Sequence, residues 1–564
     1  MEAKWVLTEP PDSELLKRLK QELNVPTLIA KVLINRGIRS FEMAREFLKP
    51  SLDDLYDPFQ MAHMDRAVER LARAIQRGES IMIHGDYDVD GVTGTSFLYR
   101  ILKFLGSEVS FYIPNRVEEG YGISALGVEE GKRRNVGLII SVDCGITAIE
   151  EVSLANRLGI DVIVTDHHEP GDGLPEAVAV IDPKRRDCPY PFKELSGVAL
   201  AFKLACALFE QLGIDPKPVY DNLDLVALGC AADIVPMIDE NRVLVKYGLE
   251  RMRVTGNLGL RALIDNVGLR GKSLGTGQLV FILAPRINAV GRLGSAERAV
   301  ELLITEDQMQ AMAVSQVLEE ENRRRRDLDD RTFSEAMDMV RECVGAGDSS
   351  VVLASEGWHP GVIGIVASRV AEAVYLPTVL ISLDGEVGKG SARSISGFDL
   401  YQALRDCKDK LIAFGGHKYA AGLTIDKKEI DRFRGAFQEV TQVKLSPEDR
   451  APKLYIDDEI TFSQIDDRMI RLLKYLAPFG PQNMRPVLAS KGLEVVGSPA
   501  IVGNNHIKFK ARQDRKVLSC VGFNMGDLFY RLAPGEPNLD LAYVIEENEW
   551  RGRKNIQLRV KALR

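Results

Sequence analysis

The chain has 564 residues, 45% of them apolar, which is too many for one core and points to three to five domains. A formal net charge of -8 excludes a uniformly basic nucleic-acid coat, but not a local basic groove. The seven cysteines (Cys144, Cys188, Cys206, Cys230, Cys343, Cys407, Cys520) are scattered and contain no CxxC pair, so neither a zinc ribbon nor a disulfide framework is indicated, and free thiols suit a reducing cytosol.

The N-terminal stretch MEAKWVLTEPPDSELLKRLK has no signal-peptide core, and no apolar run is long enough to span a bilayer, so an intracellular protein without membrane contact is expected. From residue 12 to about 75 the pattern predicts short amphipathic helices. From 80 to about 190, strand-like runs (SIMIH, EVSFYIP, VGLIISVDCG, DVIVTDHH) alternate with helical segments, which argues for a parallel sheet wrapped by helices. Helices dominate to about 345, ending in a long helix with a charged middle. Its Arg323 to Arg326 run reads either as a phosphate contact or, in preference, as a solvated face answered by neighbouring acids. A second α/β block runs from about 349 to 440, KLSPEDRAPK reads as a linker, and the tail from about 487 reads as a small β-barrel.

The stretch IMIHGDYDVDGVTG places His84, Asp86, Asp88 and Asp90 at alternate positions without a Lys or Arg. Such a cluster raises its own pKa values unless a cation compensates. It is either a solvated acidic turn before a helix or a site for a hard divalent ion. Two further strand ends decide for the ion: GLIISV leads into Asp143, and DVIVT leads into Asp166, His167 and His168. Ligands gather at the carboxyl ends of strands in open parallel sheets. Asp233, in LVALGCAADIVPM, is a fourth candidate. Gly85 and Gly91 are expected to bend the backbone so that the acids converge. Of the remaining histidines, His359 and His417 lie in Gly-rich motifs, and His63 and His506 read as surface or structural.

HGDYDVDG, SVDCG, VTDHHE and ADIVP together resemble the DHH phosphoesterase superfamily, and AFGGHKYAAG resembles its companion DHHA1 domain. Order, length and the β-rich tail are similar to the bacterial RecJ family of single-strand-specific exonucleases. The resemblance implies an α/β fold: a helical extension (1–75), a parallel-sheet DHH domain (76–240), a helical region with a long connecting helix (241–345), a DHHA1 domain (346–445) and an OB-fold-like barrel (453–564). It implies two ions, Mn²⁺ or Mg²⁺. His84 and Asp88 would hold one, and Asp90, His167 and Asp233 the other, with Asp143 bridging. Asp166 would orient a neighbouring His, and His168 would face the scissile phosphate; Asp86 is left without a role. Asp143, Asp166 and His168 are thus the candidate catalytic residues. Two cations about 3.5–4 Å apart can clamp the attacking and leaving oxygens of a phosphodiester.

The glycine-rich motifs of the second block, with His359, Gly415, Gly416 and His417, are either tight turns at strand ends or places where amides approach a phosphate, and the resemblance implies the latter, with His417 as a phosphate contact. Arg286, Arg292, Arg393, Arg116 and Tyr121 are further candidates. GLRGKS is no P-loop, since two residues separate its glycines where four are needed. Residues 487–564 carry 13 Lys and Arg against 8 Asp and Glu, a net +5 suited to a single strand, and Phe509, Phe523, Phe529 and Tyr530 are either stacking groups or, for most of them, barrel core. The resemblance implies 5′→3′ degradation of single-stranded DNA to 5′-mononucleotides in DNA repair and recombination, by a nucleoid-associated cytoplasmic monomer working beside a single-strand-binding protein and a helicase. The nearest alternative is a DHH phosphodiesterase for short RNA oligonucleotides or cyclic dinucleotides; a non-catalytic DNA-binding subunit would have eroded ligands, and none is missing.

Overall fold

A computed structural model describes residues 3–116, 118–345, 347–535, 538–550 and 553–564. The chain divides into two compact units. The first takes residues 57–233 and 248–452; the second takes 3–56, 234–247 and 453–564.

The first unit opens with helix Met64–Arg77 and a five-stranded parallel sheet. Across the sheet the strands run Val109–Tyr112, Ile81–Gly85, Leu138–Val142, Asp161–Thr165, Ala179–Ile181. The two central strands Ile81–Gly85 and Leu138–Val142 are buried at every residue, which is why they read as unbroken apolar runs rather than alternating ones. Numbered along the chain, the order is 2-1-3-4-5. Its switch point falls between Ile81–Gly85 and Leu138–Val142, where a crevice opens beyond the strand ends. Helices Val89–Phe104, Gly197–Leu212 and Leu223–Ala232 lie almost wholly buried around this sheet.

Helix Gln308–Cys343 has 36 residues, about 54 Å of rise. Its basic run is answered locally, Arg325 by Asp329 at 3.5 Å and Arg326 by Glu319 at 3.2 Å. It leads to a mixed five-stranded sheet ordered Ala413–Gly416, Ala420–Asp426, Val387–Arg393, Thr378–Asp384, Val351–Ser355, with helix Ile363–Val374 on one face. GLRGKS forms turns after helix Leu258–Asn266.

The second unit contains a barrel closed by pairing of Leu488–Val502 with Leu539–Trp550. Residues 3–56 belong to it. Strand Lys4–Leu7 pairs in parallel with Lys453–Ile456, and Leu28, Ile29 and Leu33 share one core with Phe462, Leu541 and Tyr543. Arg242, 2% exposed, donates to the carbonyls of Phe47, Tyr475, Leu476, Ala477 and Pro478, so it satisfies the end of helix Asp467–Tyr475 and the turn after it. No helix among the described residues is long and apolar enough to cross a membrane.

Candidate metal centre and the arginine-lined cleft

Four strands of the parallel sheet are each followed directly by an aspartate: Asp86, Asp143, Asp166 and Asp182. The chain leaves each strand at the same edge, so these carboxylates are delivered together. Asp88 caps helix Val89–Phe104, one oxygen accepting from the amides of Asp90 (2.9 Å) and Gly91 (3.2 Å). Asp90 turns to helix Gly197–Leu212 and accepts from the amides of Gly197 (2.6 Å) and Val198 (2.9 Å). Asp233 ends helix Leu223–Ala232. Asp143 sits at φ 63°, a left-handed conformation that costs a non-glycine residue about 1–3 kcal/mol and is stored where function needs it.

Three groups that could hold an ion result, one of them Asp143, His167 and His168, which shares members with the other two. Potential donor atoms of Asp86, Asp88 and Asp143 lie within 4.8 Å of one another, as do those of Asp90, His167 and Asp233. Asp143 Oδ1 is 3.0 Å from His167 Nε2, which places Asp143 beside both groups. Asp86 Oδ1, Asp143 Oδ1 and His167 Nε2 are buried without a hydrogen-bond partner, as is His84 Nδ1, and buried polar atoms left unpaired in this way suit a bound cation. Burial first, and neighbouring aspartates second, hold Asp86, Asp143 and Asp233 well above the usual carboxylate range and push Asp90 up to about 7. Burial, then His168, pushes His167 down to about 3, which keeps its imidazole neutral and free to ligate. Hard oxygens plus one imidazole fit Mn²⁺ or Mg²⁺.

His84 is not brought into any of these groups. It is fully buried in the strand, its Nε2 accepts from the Ser124 amide at 3.4 Å and its ring lies 5.3 Å from Tyr112. Asp86, which the sequence left without a role, stands in the place expected for it. Neither Gly85 nor Gly91 adopts a positive φ. Gly91 is there for room, since a Cβ would sit 2.5 Å from the Asp86 carbonyl oxygen. Gly197 serves likewise, its missing Cβ lying 2.7 Å from Asp143 Oδ1.

Asp166 accepts from the Ile146 amide (2.9 Å), the His167 amide (2.8 Å) and His168 Nδ1 (2.7 Å). Burial alone would raise it, but the bond and charge of His168 outweigh that and hold it below the ordinary range. Burial likewise opposes charge on His168, yet Asp166 raises it above the usual imidazole value. The Tyr121 hydroxyl donates to the Asp143 carbonyl (2.8 Å) and lies 2.9 Å from His168 Nδ1.

Arginines gather next to the acids. Arg292, at the end of helix Ala284–Leu293, donates to the Gly361 carbonyl at 3.2 Å, and burial followed by the charges of Arg116, Arg325 and Arg393 pushes it down to about 10. Arg393, from the second sheet, donates to Ser368 Oγ and Ser391 Oγ, both at 3.1 Å, neither of them anionic. Arg286 instead pairs with Glu319 and donates to the Ile282 carbonyl, so it braces the long helix. His359 accepts the Gly361 amide at 3.0 Å as the chain enters helix Ile363–Val374. Gly415, Gly416 and His417 are exposed at the end of strand Ala413–Gly416. Sequence reasoning named Asp86 in the cluster without giving it a role and did not single out Ser368 and Ser391, which hold Arg393. The signal for Asp86 was its place directly after a strand, like Asp143 and Asp166.

In the barrel Phe509 is core and Phe529 packs against it, while Phe523 and Tyr530 are exposed. Phe523 meets His506 edge-on at 5.1 Å and carries Arg559 at 5.6 Å.

Family models match along the chain: the DHH family N-terminal domain over residues 80–230, the DHHA1 domain over 347–442 and the RecJ OB domain over 456–562. The single-stranded-DNA-specific exonuclease RecJ of Bacillus subtilis is 41% identical over 99% of this chain and 70% of its own. The crystal structure of Thermus thermophilus RecJ with Mn²⁺ is 31% identical, covers all of this chain and 80% of that one, and superposes with a TM-score of 0.85. The Mg²⁺ complex, 30% identical over all of this chain and 78% of that one, gives 0.80. By sequence and by fold over its whole length, the chain belongs to the RecJ family.

Proposed function

We propose that the protein is a metal-dependent exonuclease that degrades single-stranded DNA from the 5′ end and releases 5′-mononucleotides. The observation that carries this is the union of the buried ligand groups with neighbouring Arg292 and Arg393, whose hydrogen bonds go to a carbonyl and to serine hydroxyls rather than to carboxylates. Relatives that bear the name of single-stranded-DNA-specific exonuclease, and a relative seen with Mn²⁺ and with Mg²⁺, support substrate and metal.

Asp86, Asp88 and Asp143 would hold one ion, and Asp90, His167 and Asp233 the other, with Asp143 between them. When bound, the two ions supply a clamp on the attacking and leaving oxygens of a phosphodiester. The protein's own groups do the rest. Asp166 keeps His168 charged and aimed, so that an imidazolium N–H can meet a phosphate oxygen. Tyr121 fixes the backbone of Asp143 and steadies the His168 ring. Arg116, Arg292 and Arg393 take the terminal phosphate, whose extra charge over a diester distinguishes an end from an interior position. His417, Gly415 and Gly416 contact the phosphate chain beyond it. The barrel binds single strands through its basic residues and exposed Phe523.

Such an enzyme consumes strands that a helicase exposes and a single-strand-binding protein coats, and we place it beside both, as a monomer acting on DNA in the cytoplasm. The test offers 5′- and 3′-labelled DNA and RNA strands with Mn²⁺, Mg²⁺ or EDTA. Labelled mononucleotide appearing first from 5′-labelled DNA, only with metal, is expected. Release from the 3′ label first, or equal cleavage of RNA, would overturn the reading.

A further inference from the structure

Tyr87 stands between Asp86 and Asp88, and its half-buried ring carries the Arg116 guanidinium 5.0 Å from its centroid. The same ring meets Tyr121 edge-on at 6.5 Å, and Tyr121 is bonded to the Asp143 carbonyl. From the other side Gly291 packs on the Tyr87 backbone, where a Cβ would come within 2.8 Å of the carbonyl oxygen; Arg292 is the next residue. Arg116 itself lies outside regular structure, after strand Val109–Tyr112. It makes no ion pair among the described residues. A long, rotamer-rich side chain on such a segment needs a platform to be aimed. That platform is built into the segment that carries the metal ligands, not into the segment that carries Arg116.

We propose that Tyr87 is the positioning residue that holds Arg116 over the terminal phosphate and thereby registers the end pocket to the metal centre. This rests on reading the arginine cluster as that pocket. A tyrosine serving only to pack the strand end would affect all substrates alike. One serving as a platform affects the substrate that Arg116 distinguishes.

The full-length, Mn²⁺-loaded protein is tested under single-turnover conditions on 5′-phosphorylated and 5′-hydroxyl strands, and the ratio of the two rates is read. A ratio taken on one enzyme preparation cancels losses of metal or of folded fraction. Cation–π contacts imply that Tyr87→Leu lowers the ratio about threefold to thirtyfold, while Tyr87→Phe keeps it within about twofold. Tyr87→Leu combined with Arg116→Ala falls no lower than Arg116→Ala alone, because the two act as a unit. Should Tyr87→Leu not fold, Tyr87→Gln, which has similar reach but no ring face, is read the same way. A wild-type preference that the ringless variant keeps, or additive losses in the double variant, overturns this inference alone. Equal wild-type rates on the two strands remove the end-pocket reading and this inference with it.

Discussion

Asp166 Oδ1 accepts three hydrogen bonds, from the amides of His167 and His168 and, at 2.7 Å, from His168 Nδ1. One carboxylate thus sets both the backbone and the ring of the adjacent histidine. Asp166→Asn should preserve the fold but lose the charge that supports a protonated His168. Both Asp166→Asn and His168→Ala are expected to keep two equivalents of Mn²⁺ and to lose at least about a hundredfold in single-turnover rate. Loss of an ion from His168→Ala, measured by elemental analysis, would make His168 a ligand instead.

Asp86 and His84 are separated by one residue and by opposite expectations. Asp86→Ala should lower the metal content by one equivalent and abolish turnover. His84→Ala should keep both ions. Asp143→Ala, which removes the carboxylate beside both groups, should bind neither ion tightly. The same elemental analysis decides, and two ions retained by Asp86→Ala alongside loss in His84→Ala would restore the histidine as ligand.

Asp182 is buried after strand Ala179–Ile181. Oδ1 accepts the Lys184 amide at 2.7 Å and Oδ2 has no partner. Burial pushes it up to about 7 from 3.8. In the unfolded chain it ionises near 3.8, whereas the native protein holds the proton until about 7. The folded state therefore binds more protons in that window, and stability falls as pH rises through it. Asp182→Asn keeps the acceptor and removes this loss. In EDTA its stability relative to wild type should grow from about pH 4 to about pH 7 and then level off, as read from urea unfolding midpoints. A pH-independent difference would refute the burial argument.

Arg393 donates to two serine hydroxyls, so its charge remains to be answered by substrate. Arg393→Ala should reduce the advantage of 5′-phosphorylated over 5′-hydroxyl strands by at least about tenfold. If it slows both equally, the arginine grips the strand generally and the end is sensed elsewhere.

Phe523 is 49% exposed with His506 and Arg559 against it. Phe523→Ala should weaken binding to long single strands by about 1–3 kcal/mol and leave cleavage of short oligonucleotides nearly unchanged. Fluorescence anisotropy across a salt series measures this. Undiminished long-strand affinity would assign the exposed ring another purpose.

The strand-end logic of the site was legible because parallel strands announce themselves as short apolar runs, and the residues just past each run land at one edge. That located Asp143, Asp166, His167 and His168. It did not separate His84 from Asp86, because the last strand residues and the first residue beyond them differ only in where the strand stops. Arg286 looked as free as Arg292 in PRINAVGR; its partner Glu319 lies 33 positions away, in another helix. Asp182 in IDPK reads as a turn residue, and nothing local tells that it is buried. The joining of the N-terminal helices to the barrel was equally hidden, since Leu28 and Leu33 form an ordinary amphipathic pattern whose partner face lies beyond residue 460.

That shared core fixes a timetable for biogenesis. Lys4 pairs with Lys453, and Leu28, Ile29 and Leu33 wait for Leu541 and Leu558 before they are covered. At about 5–20 residues per second, the ribosome needs tens of seconds to deliver those late strands. Throughout that interval the nascent chain displays an oily helical face around Leu28 to Leu33, so a part made early is among the last to be finished. Synthesis that stops short of the barrel strands leaves that face uncovered, and truncated products of this chain should be ready clients for holdase chaperones and proteases.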